Sequence, residues 1–383
     1  MKTLLFTAAS LAALTLGGTA FAAGNATTID QIGYANNATV DQTGSPSGAV
    51  AQVTQGTAAT DEYNSASVTQ GGGANNQASV KQSQGSFGAA HNPTNSSTSN
   101  QQGADGTATV IQVGNSTSSI SQLSGSTYEH ALVGQLGNND TSSIQQGGTE
   151  ELAVVNQESG PGNTLATGSN SASIVQSGTG DNVDTASVYT NTPSPGPGDL
   201  HWHENVPPDS VLPGSPTLTV WGPVGAVVDQ VGSNNVGAIN QAGVHNFADV
   251  SQENDNAPGG NYGAVTQGAG LTESDGVMFQ WGQSNTVVIN QSGAGMTFST
   301  AWQNGTSNRA YSTQIGSEHS VISQGVIGDD VSWVTPVQAD YASVDQSGGG
   351  DTSTVTQLGD NDTANVSQFA ANATSTISQS GSY

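Results

Sequence analysis

Glutamine recurs every eleven residues along this chain, and no other feature of the sequence constrains the fold as strongly. Val or Ile stands two residues before 22 of the 32 glutamines. Chance would place an aliphatic residue there about four times, so the repeat is real. The interval links the groups Gln31/Gln42, Gln135/Gln146/Gln157, Gln230/Gln241/Gln252, Gln280/Gln291, Gln303/Gln314 and Gln346/Gln357/Gln368/Gln379.

Within each unit the specified residues all have the same parity. The segment Asn36-x-Ala38-x-Val40-x-Gln42-x-Gly44 is an example. Because side chains alternate between the two faces of a strand, this pattern predicts a short strand with one specified face. Gly, Asn and Asp between units, as in Gly359-Asp360-Asn361-Asp362, supply turn residues. Two such half-units make a rung of about 22 residues that returns the chain to its starting side.

The repeat predicts an all-β fold, a β-solenoid of about 12 two-stranded rungs that is open at both ends. Rungs stacked at about 4.8 Å would form a rod of about 55–60 Å. One rung buries too little apolar surface to be stable alone, so stacking must supply the stability. Inward amide side chains suit such a stack, since they can hydrogen-bond to the rungs above and below.

We predict that the structural residues are the inward Gln and Asn side chains and the aliphatic residues beside them. The glutamines are Gln31, Gln42, Gln230, Gln241, Gln252, Gln280, Gln291, Gln303, Gln314, Gln346, Gln357, Gln368 and Gln379. The asparagines are Asn36, Asn235, Asn246, Asn285 and Asn308, and the aliphatic residues are Val344, Val355, Val366 and Ile377.

Breaks in the pattern divide the chain into four parts. Residues 1–22 have a basic start, an apolar run and Ala20-Phe21-Ala22, which predicts a secretion signal peptide. Residues 23–190 form a first repeat array, with an irregular loop at about 83–105. Residues 191–223 are a Pro-rich insert, which cannot be a sheet interior. Residues 224–383 form the second array.

Charge and cysteine content exclude several functions. The 29 acidic residues face only three Lys and Arg, for a net charge of −26. Such a chain lacks the cations that bind nucleic acid or anionic membrane surfaces. It has no cysteine, which excludes disulfides and thiolate metal sites. We expect export across the inner membrane and a product at the cell surface or outside the cell, with no membrane span in the mature chain.

Motifs for catalysis are missing, which predicts that the protein is not an enzyme and needs no cofactor. We find no nucleophile elbow, phosphate loop or zinc helix. His201, His203 and Glu204 form a weak candidate metal site in the insert. A calcium β-roll and an ice-binding solenoid are rival hypotheses. The eleven-residue period and the uneven Asp and Thr content of the turns and outer positions disfavour both.

The spacing of Gln and Asn resembles the curlin repeat, in which Ser-x5-Gln-x4-Asn-x5-Gln marks a strand-turn-strand unit. Gln230-x4-Asn235-x5-Gln241 and Gln280-x4-Asn285-x5-Gln291 match its second part, and the likeness covers most of residues 26–190 and 224–383. The resemblance implies a secreted subunit of curli-type functional amyloid in biofilm matrix. It also implies a nucleator and an outer-membrane secretion apparatus as partners. The chain is much longer than the well-known curlins, and the insert departs from their pattern.

Polymerisation is also expected from the repeat itself, because solenoids that stay monomeric cap their terminal rungs. The first strand is predicted to begin at Ala26 and the last unit to run from Ala373 to Gly381, with no capping element at either end. We therefore expect self-association by axial stacking into extracellular fibres. The alternative is a monomeric surface solenoid that acts as an adhesin or binds divalent cations.

Overall fold

The structure is a computed structural model of the whole chain. It describes the following residues, to which all structural statements below refer: 24–32, 35–56, 63–83, 94–158, 169–178, 225–254, 259–324, 341–347, 352–358, 363–368 and 372–380. The predicted signal peptide and the Pro-rich insert lie outside them.

Strands are the regular structure of these residues, and all strands belong to one sheet. No described helix is long and apolar enough to cross a membrane. The strands are β1 (Ala26–Gln31), β2 (Asn37–Gly44), β3 (Val50–Gln55), β4 (Ser65–Gly71), β5 (Gln77–Ser83), β6 (Ser96–Gln101), β7 (Thr107–Gln122), β8 (His130–Gln146), β9 (Leu152–Glu158), β10 (Ser171–Gln176), β11 (Ala226–Val231), β12 (Val236–Gln241), β13 (Phe247–Glu253), β14 (Tyr262–Gln267), β15 (Asp275–Gln283), β16 (Thr286–Ser292), β17 (Phe298–Thr306), β18 (Arg309–Ile315), β19 (His319–Gln324), β20 (Tyr341–Ser347), β21 (Thr352–Leu358), β22 (Thr363–Gln368) and β23 (Thr374–Ser380).

These strands stack in two parallel columns, since each pairs with the strand one coil away. The long strands β7 and β8 each contribute one half to each column. The first column is β1, β3, β5, β7, β8, β9, β11, β13, β15, β17, β19, β21 and β23. The second is β2, β4, β6, β7, β8, β10, β12, β14, β16, β18, β20 and β22.

The core lies between the columns, and most strands contribute the same kinds of residue to it. Each strand points three residues inward: a small residue, then usually an aliphatic one, then Gln. In β4 these are Ala66, Val68 and Gln70, all buried. The predicted all-β solenoid of two-stranded rungs is confirmed, and the number of rungs is close to the predicted one.

The columns continue in register across the Pro-rich insert. β11 pairs with β9, and β12 with β10, although β10 and β11 are separated by residues 177–225 in sequence. The core residue Val228 therefore stacks on Val155. The two predicted repeat arrays form a single stack.

The predicted irregular loop at about 83–105 was wrong in its second half, where β6 occupies Ser96–Gln101. The sequence pattern does not predict this strand because serine replaces the small and aliphatic core residues. Ser97, Ser99 and Gln101 point inward and are buried, and Gln101 continues the column between Gln70 and Gln122. Backbone pairing with both neighbouring strands and the ladder residue Gln101 therefore keep β6 in place without an aliphatic side chain.

Ser99 offers a test of this explanation, because it lies between Val68 and Ile120 and its buried hydroxyl has no hydrogen-bond partner. We expect Ser99→Val to raise the free energy of unfolding by about 1–2 kcal/mol, since an unsatisfied buried hydroxyl is destabilising. Urea denaturation of both proteins measures the difference. The matched control is Thr98→Val, an exposed position in the same strand, which should change stability little. Equal shifts from both variants would contradict the core placement of Ser99.

Candidate functional site

The inward glutamines form two continuous hydrogen-bonded ladders along the stack. In each ladder, the Nε2 group of one glutamine donates to Oε1 of the next, at 2.6–3.4 Å. The first-column ladder is Gln31, Gln55, Gln82, Gln112, Gln135, Gln157, Gln230, Gln252, Gln280, Gln303, Gln324, Gln357 and Gln379. The second-column ladder is Gln42, Gln70, Gln101, Gln122, Gln146, Gln176, Gln241, Gln267, Gln291, Gln314, Gln346 and Gln368.

The same amides also tie the two columns together. Gln55 Nε2 donates to the carbonyl of Asn37 at 2.9 Å, and Gln252 Nε2 donates to that of Val236 at 3.1 Å. In each case the acceptor is the first residue of the strand that precedes the glutamine's own strand. Each such glutamine therefore has ladder contacts and a contact across the core. Amides satisfied in this way can be buried without the usual penalty.

Asparagines hold the corners between strands. Asn235, Asn285 and Asn308 lie just before second-column strands, and each is almost fully buried. Asn285 Oδ1 accepts the backbone N–H of Asn308 at 3.1 Å, and Asn285 Nδ2 donates to the Trp281 carbonyl at 2.9 Å. The residue before a corner has positive φ, as Asn234 does at 60°. These side chains fix that uncommon backbone conformation and link successive coils.

The structure brings the predicted ladder residues together, with two refinements. Asn246 lies before a first-column strand, in the opposite corner from the other predicted asparagines, and its Oδ1 accepts the N–H of Ser274. Asn36 lies near the end of the stack and is only half-buried. The aliphatic residues Val344, Val355 and Val366 are buried, and Ile377 packs against the same core.

Twelve further ladder glutamines were not among the predicted site residues: Gln55, Gln70, Gln82, Gln101, Gln112, Gln122, Gln135, Gln146, Gln157, Gln176, Gln267 and Gln324. For most of them, Val or Ile two residues earlier was the available signal. That signal alone is imperfect. Gln52 satisfies it but points outward, whereas Gln280, which follows Met278, points inward.

Two glutamates replace asparagine at first-column corners. Glu129 and Glu151 are almost fully buried, although carboxylates are usually exposed unless they have a partner. Glu151 accepts the N–H of Gly178 at 2.6 Å, and Glu129 accepts that of Gly148 at 3.0 Å. Both carboxylates thus receive backbone N–H groups as the corner asparagines do. Burial raises the pKa of Glu129.

The outer face of the first column carries large apolar residues from β7 to β19. They include Ile111, Leu132, Val154, Val227, Phe279 and Trp302, whereas β21 and β23 present mainly Thr and Ser outward. Val154 and Val227 are buried in a second, smaller apolar cluster with Leu152. The rings of Phe279 and Trp302 lie 4.8 Å apart. The repeat in the sequence does not reveal this face, because the repeated residues are the inward ones.

Two carboxylates on this outer face are unusually poor acids. Desolvation raises the pKa of Asp229 to about 6 and that of Asp249 to about 7, and the negative charge of Asp229 adds to the effect at Asp249. A hydrogen bond from Asn156 opposes the shift at Asp229. Desolvation and the charge of Asp229 also raise the pKa of Glu158.

We therefore expect the solenoid to lose stability as the pH rises from about 4 to about 8. A carboxyl whose folded-state pKa exceeds its unfolded value binds its proton more tightly when folded, so ionisation opposes folding. Asp249→Asn should remove much of this dependence and stabilise the protein at pH 8 by on the order of 2 kcal/mol. Urea midpoints of both proteins at pH 5 and pH 8 measure the effect. Ser251→Asn, in the same strand and also outward, is the control. An unchanged pH dependence in Asp249→Asn would contradict the assignment.

The described residues contain no group of three or more His, Asp or Glu side chains that could hold a metal ion. The weak candidate of His201, His203 and Glu204 lies outside the described residues. Among the described residues, the two glutamine ladders run along the stack and end at its two ends.

Both ends of the stack present open strand edges. Among the described residues, β1 and β2 pair on one side only, as do β22 and β23. The inward side chains of these end strands are therefore more exposed to solvent than those of the inner strands. Ile29 and Ile377 are partly exposed, whereas Val53 and Val355, one coil further in, have no exposed surface.

A family model for the curlin associated repeat matches residues 339–369. The match spans β20, β21 and β22, with the ladder residues Gln346, Gln357 and Gln368. The predicted resemblance to curlin repeats is confirmed there. A search of the curated proteins finds no match to the chain. The repeat and the solenoid together fit a curlin-like structural protein.

Proposed function

We propose that this protein is a secreted structural subunit that polymerises end to end into curli-like extracellular fibres, which serve biofilm matrix and surface adhesion. The observation that supports this most directly is the open ladder at each end of the stack. Gln379 Nε2 donates to the carbonyl of Thr363 at 2.9 Å, but no described glutamine follows it as the next ladder acceptor. At the other end, Gln31 donates to Gln55 and no described glutamine precedes it.

Each open end also exposes backbone groups. A strand edge is a template for another strand of any chain that offers the same register. The inner coils show that this register is satisfied by a small residue, an aliphatic residue and Gln, which every subunit carries at both ends. A second copy therefore has the chemistry that completes the edge. The curlin repeat favours a structural role of this kind over catalysis.

Negative-stain microscopy of the purified chain lacking residues 1–22, with amyloid-dye kinetics, tests the proposal. We expect unbranched fibres and seeded growth. Protein that stays monomeric at high concentration and moderate salt would contradict it. In that case the alternative of a monomeric surface solenoid, acting as an adhesin or a cation-binding module, would stand. Folding that depends on calcium would favour the cation-binding form.

Fibre growth should accelerate as salt rises or as pH falls toward 4. Without residues 1–22 the chain keeps two bases and 29 acids, so each subunit carries a charge of about −27. Like charges of this size repel an incoming copy until counterions screen them or protons neutralise them. Growth rates by dye fluorescence at several salt concentrations and pH values measure this effect. Growth rates that do not change with salt concentration or with pH would show that charge does not limit assembly.

A further inference from the structure

The stack of described strands begins and ends in the same column. β1 and β23 both belong to the first column, while the outermost strands of the second column, β2 and β22, each lie next to them in the chain. Successive strands alternate between columns as the chain winds, so each strand sits half a coil further along the axis than the one before. At one end, β1 projects half a coil beyond β2. At the other end, β23 projects half a coil beyond β22.

These two stepped ends fit together in only one orientation. If a second copy were stacked without rotation, its β1 would cover β23 and its β2 would face β22. The second column would then contain a gap of about 9.6 Å, twice the usual strand spacing, with an empty strand position. The backbone groups on both sides of that gap would lack partners, which is costly in a buried edge.

We propose that successive subunits in the fibre are related by a half turn about the fibre axis, so that β1 of one copy pairs with β22 of its neighbour and β2 pairs with β23. This inference rests on the proposed function, since it specifies the partner surface of the assembling ends. The half turn exchanges the columns at every junction and leaves no strand position empty.

The side chains at the junction match in this arrangement. By the register within the stack, Val366 meets Ile29 and Gln368 meets Gln31 of the next copy. Ile377 likewise meets Val40, and Gln379 meets Gln42. Both columns carry the same inward sequence of small, aliphatic and amide residues, so exchanging them preserves the core.

The glutamine at the start of the stack supports the same geometry. Ladder glutamines donate a second hydrogen bond to the carbonyl of the first residue in the preceding strand, as Gln42 does to Ala26 at 3.2 Å. Within its own chain, Gln31 has no described strand before β1. In the half-turn stack, β23 of the neighbour takes that place, and its first residue, Thr374, presents the carbonyl that Gln31 would meet.

Disulfide trapping distinguishes the two stacking orientations, because the protein has no cysteine of its own. In-register neighbours in adjacent strands are about 4.8 Å apart, within the span of a disulfide. Thr39, Thr376, Thr28 and Asn365 are all exposed and outward, so their replacement should not disturb the fold. Positions 39 and 376 lie near opposite ends of one subunit, about 55 Å apart, so a bond between them must join two copies.

In fibres oxidised after assembly, Thr39→Cys/Thr376→Cys should yield covalent oligomers on a non-reducing gel, and Thr28→Cys/Asn365→Cys should do the same through the other column. Thr28→Cys/Thr376→Cys is the matched control: the half turn places its cysteines on opposite sides of the fibre, so it should remain monomeric. Oligomers from the control pair alone would overturn the half turn while leaving the fibre proposal intact. Fibres in which none of the pairs crosslinks would also overturn it. Absence of fibres by microscopy would reject the proposed function itself, and this inference with it.

Discussion

A lysine in place of Gln252 is expected to destabilise the solenoid by about 3–5 kcal/mol, because it would bury an ammonium without a partner. Gln252 is 1% exposed and lies at the middle of the first-column ladder. Its Oε1 accepts from Gln230 at 2.8 Å, and its Nε2 donates to Gln280 at 2.8 Å. Lysine can donate but cannot accept, so Gln230 would also lose its acceptor.

Two further variants separate charge from the lost hydrogen bonds. Ser251→Lys places the same charge one residue away, on the outer face among carboxylates, and should change stability by less than about 0.5 kcal/mol. Gln252→Leu keeps the approximate volume without charge and should cost about 1–3 kcal/mol, through the amides it leaves unpaired. Urea denaturation followed by circular dichroism ranks the three. Equal losses from Gln252→Lys and Ser251→Lys would mean that position 252 is not inside.

The second large effect is expected on assembly. Replacing Gln357, Gln368 and Gln379 together by lysine should slow fibre growth by at least about a hundredfold. Burying an unpaired charge costs several kcal/mol, and each 1.4 kcal/mol corresponds to a factor of ten. Gln368 and Gln379 carry the two ladders to the end of the stack, so the charges would lie in the surface that an incoming copy must cover.

The control for this triple variant carries the same added charge on the same three strands. Thr354→Lys, Asn365→Lys and Thr376→Lys all lie on the outer face. These lysines reduce the net negative charge without entering the core, so growth should be unchanged or faster. Dye kinetics at matched concentration compares the two proteins, and circular dichroism before assembly checks that both are folded. Equal slowing by both triple variants would refute the inward assignment of the glutamines.

The architecture was predictable because its determinants are periodic in sequence. The interval of eleven between glutamines and the period of two around Val344 or Ile377 follow directly from strand geometry, so strand, face and stacking could all be predicted. A strand could not be predicted from the sequence where it lacks the aliphatic residue two positions before its glutamine. The sequence of β6 resembles a loop because Ser97 and Ser99 occupy core positions that only the neighbouring coils identify.

Other features depend on which strands become neighbours. The raised pKa values of Asp229 and Asp249 arise from an outer face that joins strands on both sides of the insert, so no local motif marks them. Glu151 reads as a surface charge in sequence, yet it occupies the corner position that asparagine holds elsewhere. The stack also starts and ends in the same column because its total number of strand positions is odd. This follows only when β6 is counted as a strand.

The one-way donation in the glutamine ladders gives the molecule an electrical direction. Each side-chain amide is a dipole comparable to a peptide unit, about 3.5 D, and along both ladders the amides donate toward β23. Their axial components add as peptide dipoles add in a helix, with the negative pole near β1 and the positive pole near β23. Head-to-tail fibres built from such units would accumulate this moment with length and should align parallel to an applied electric field.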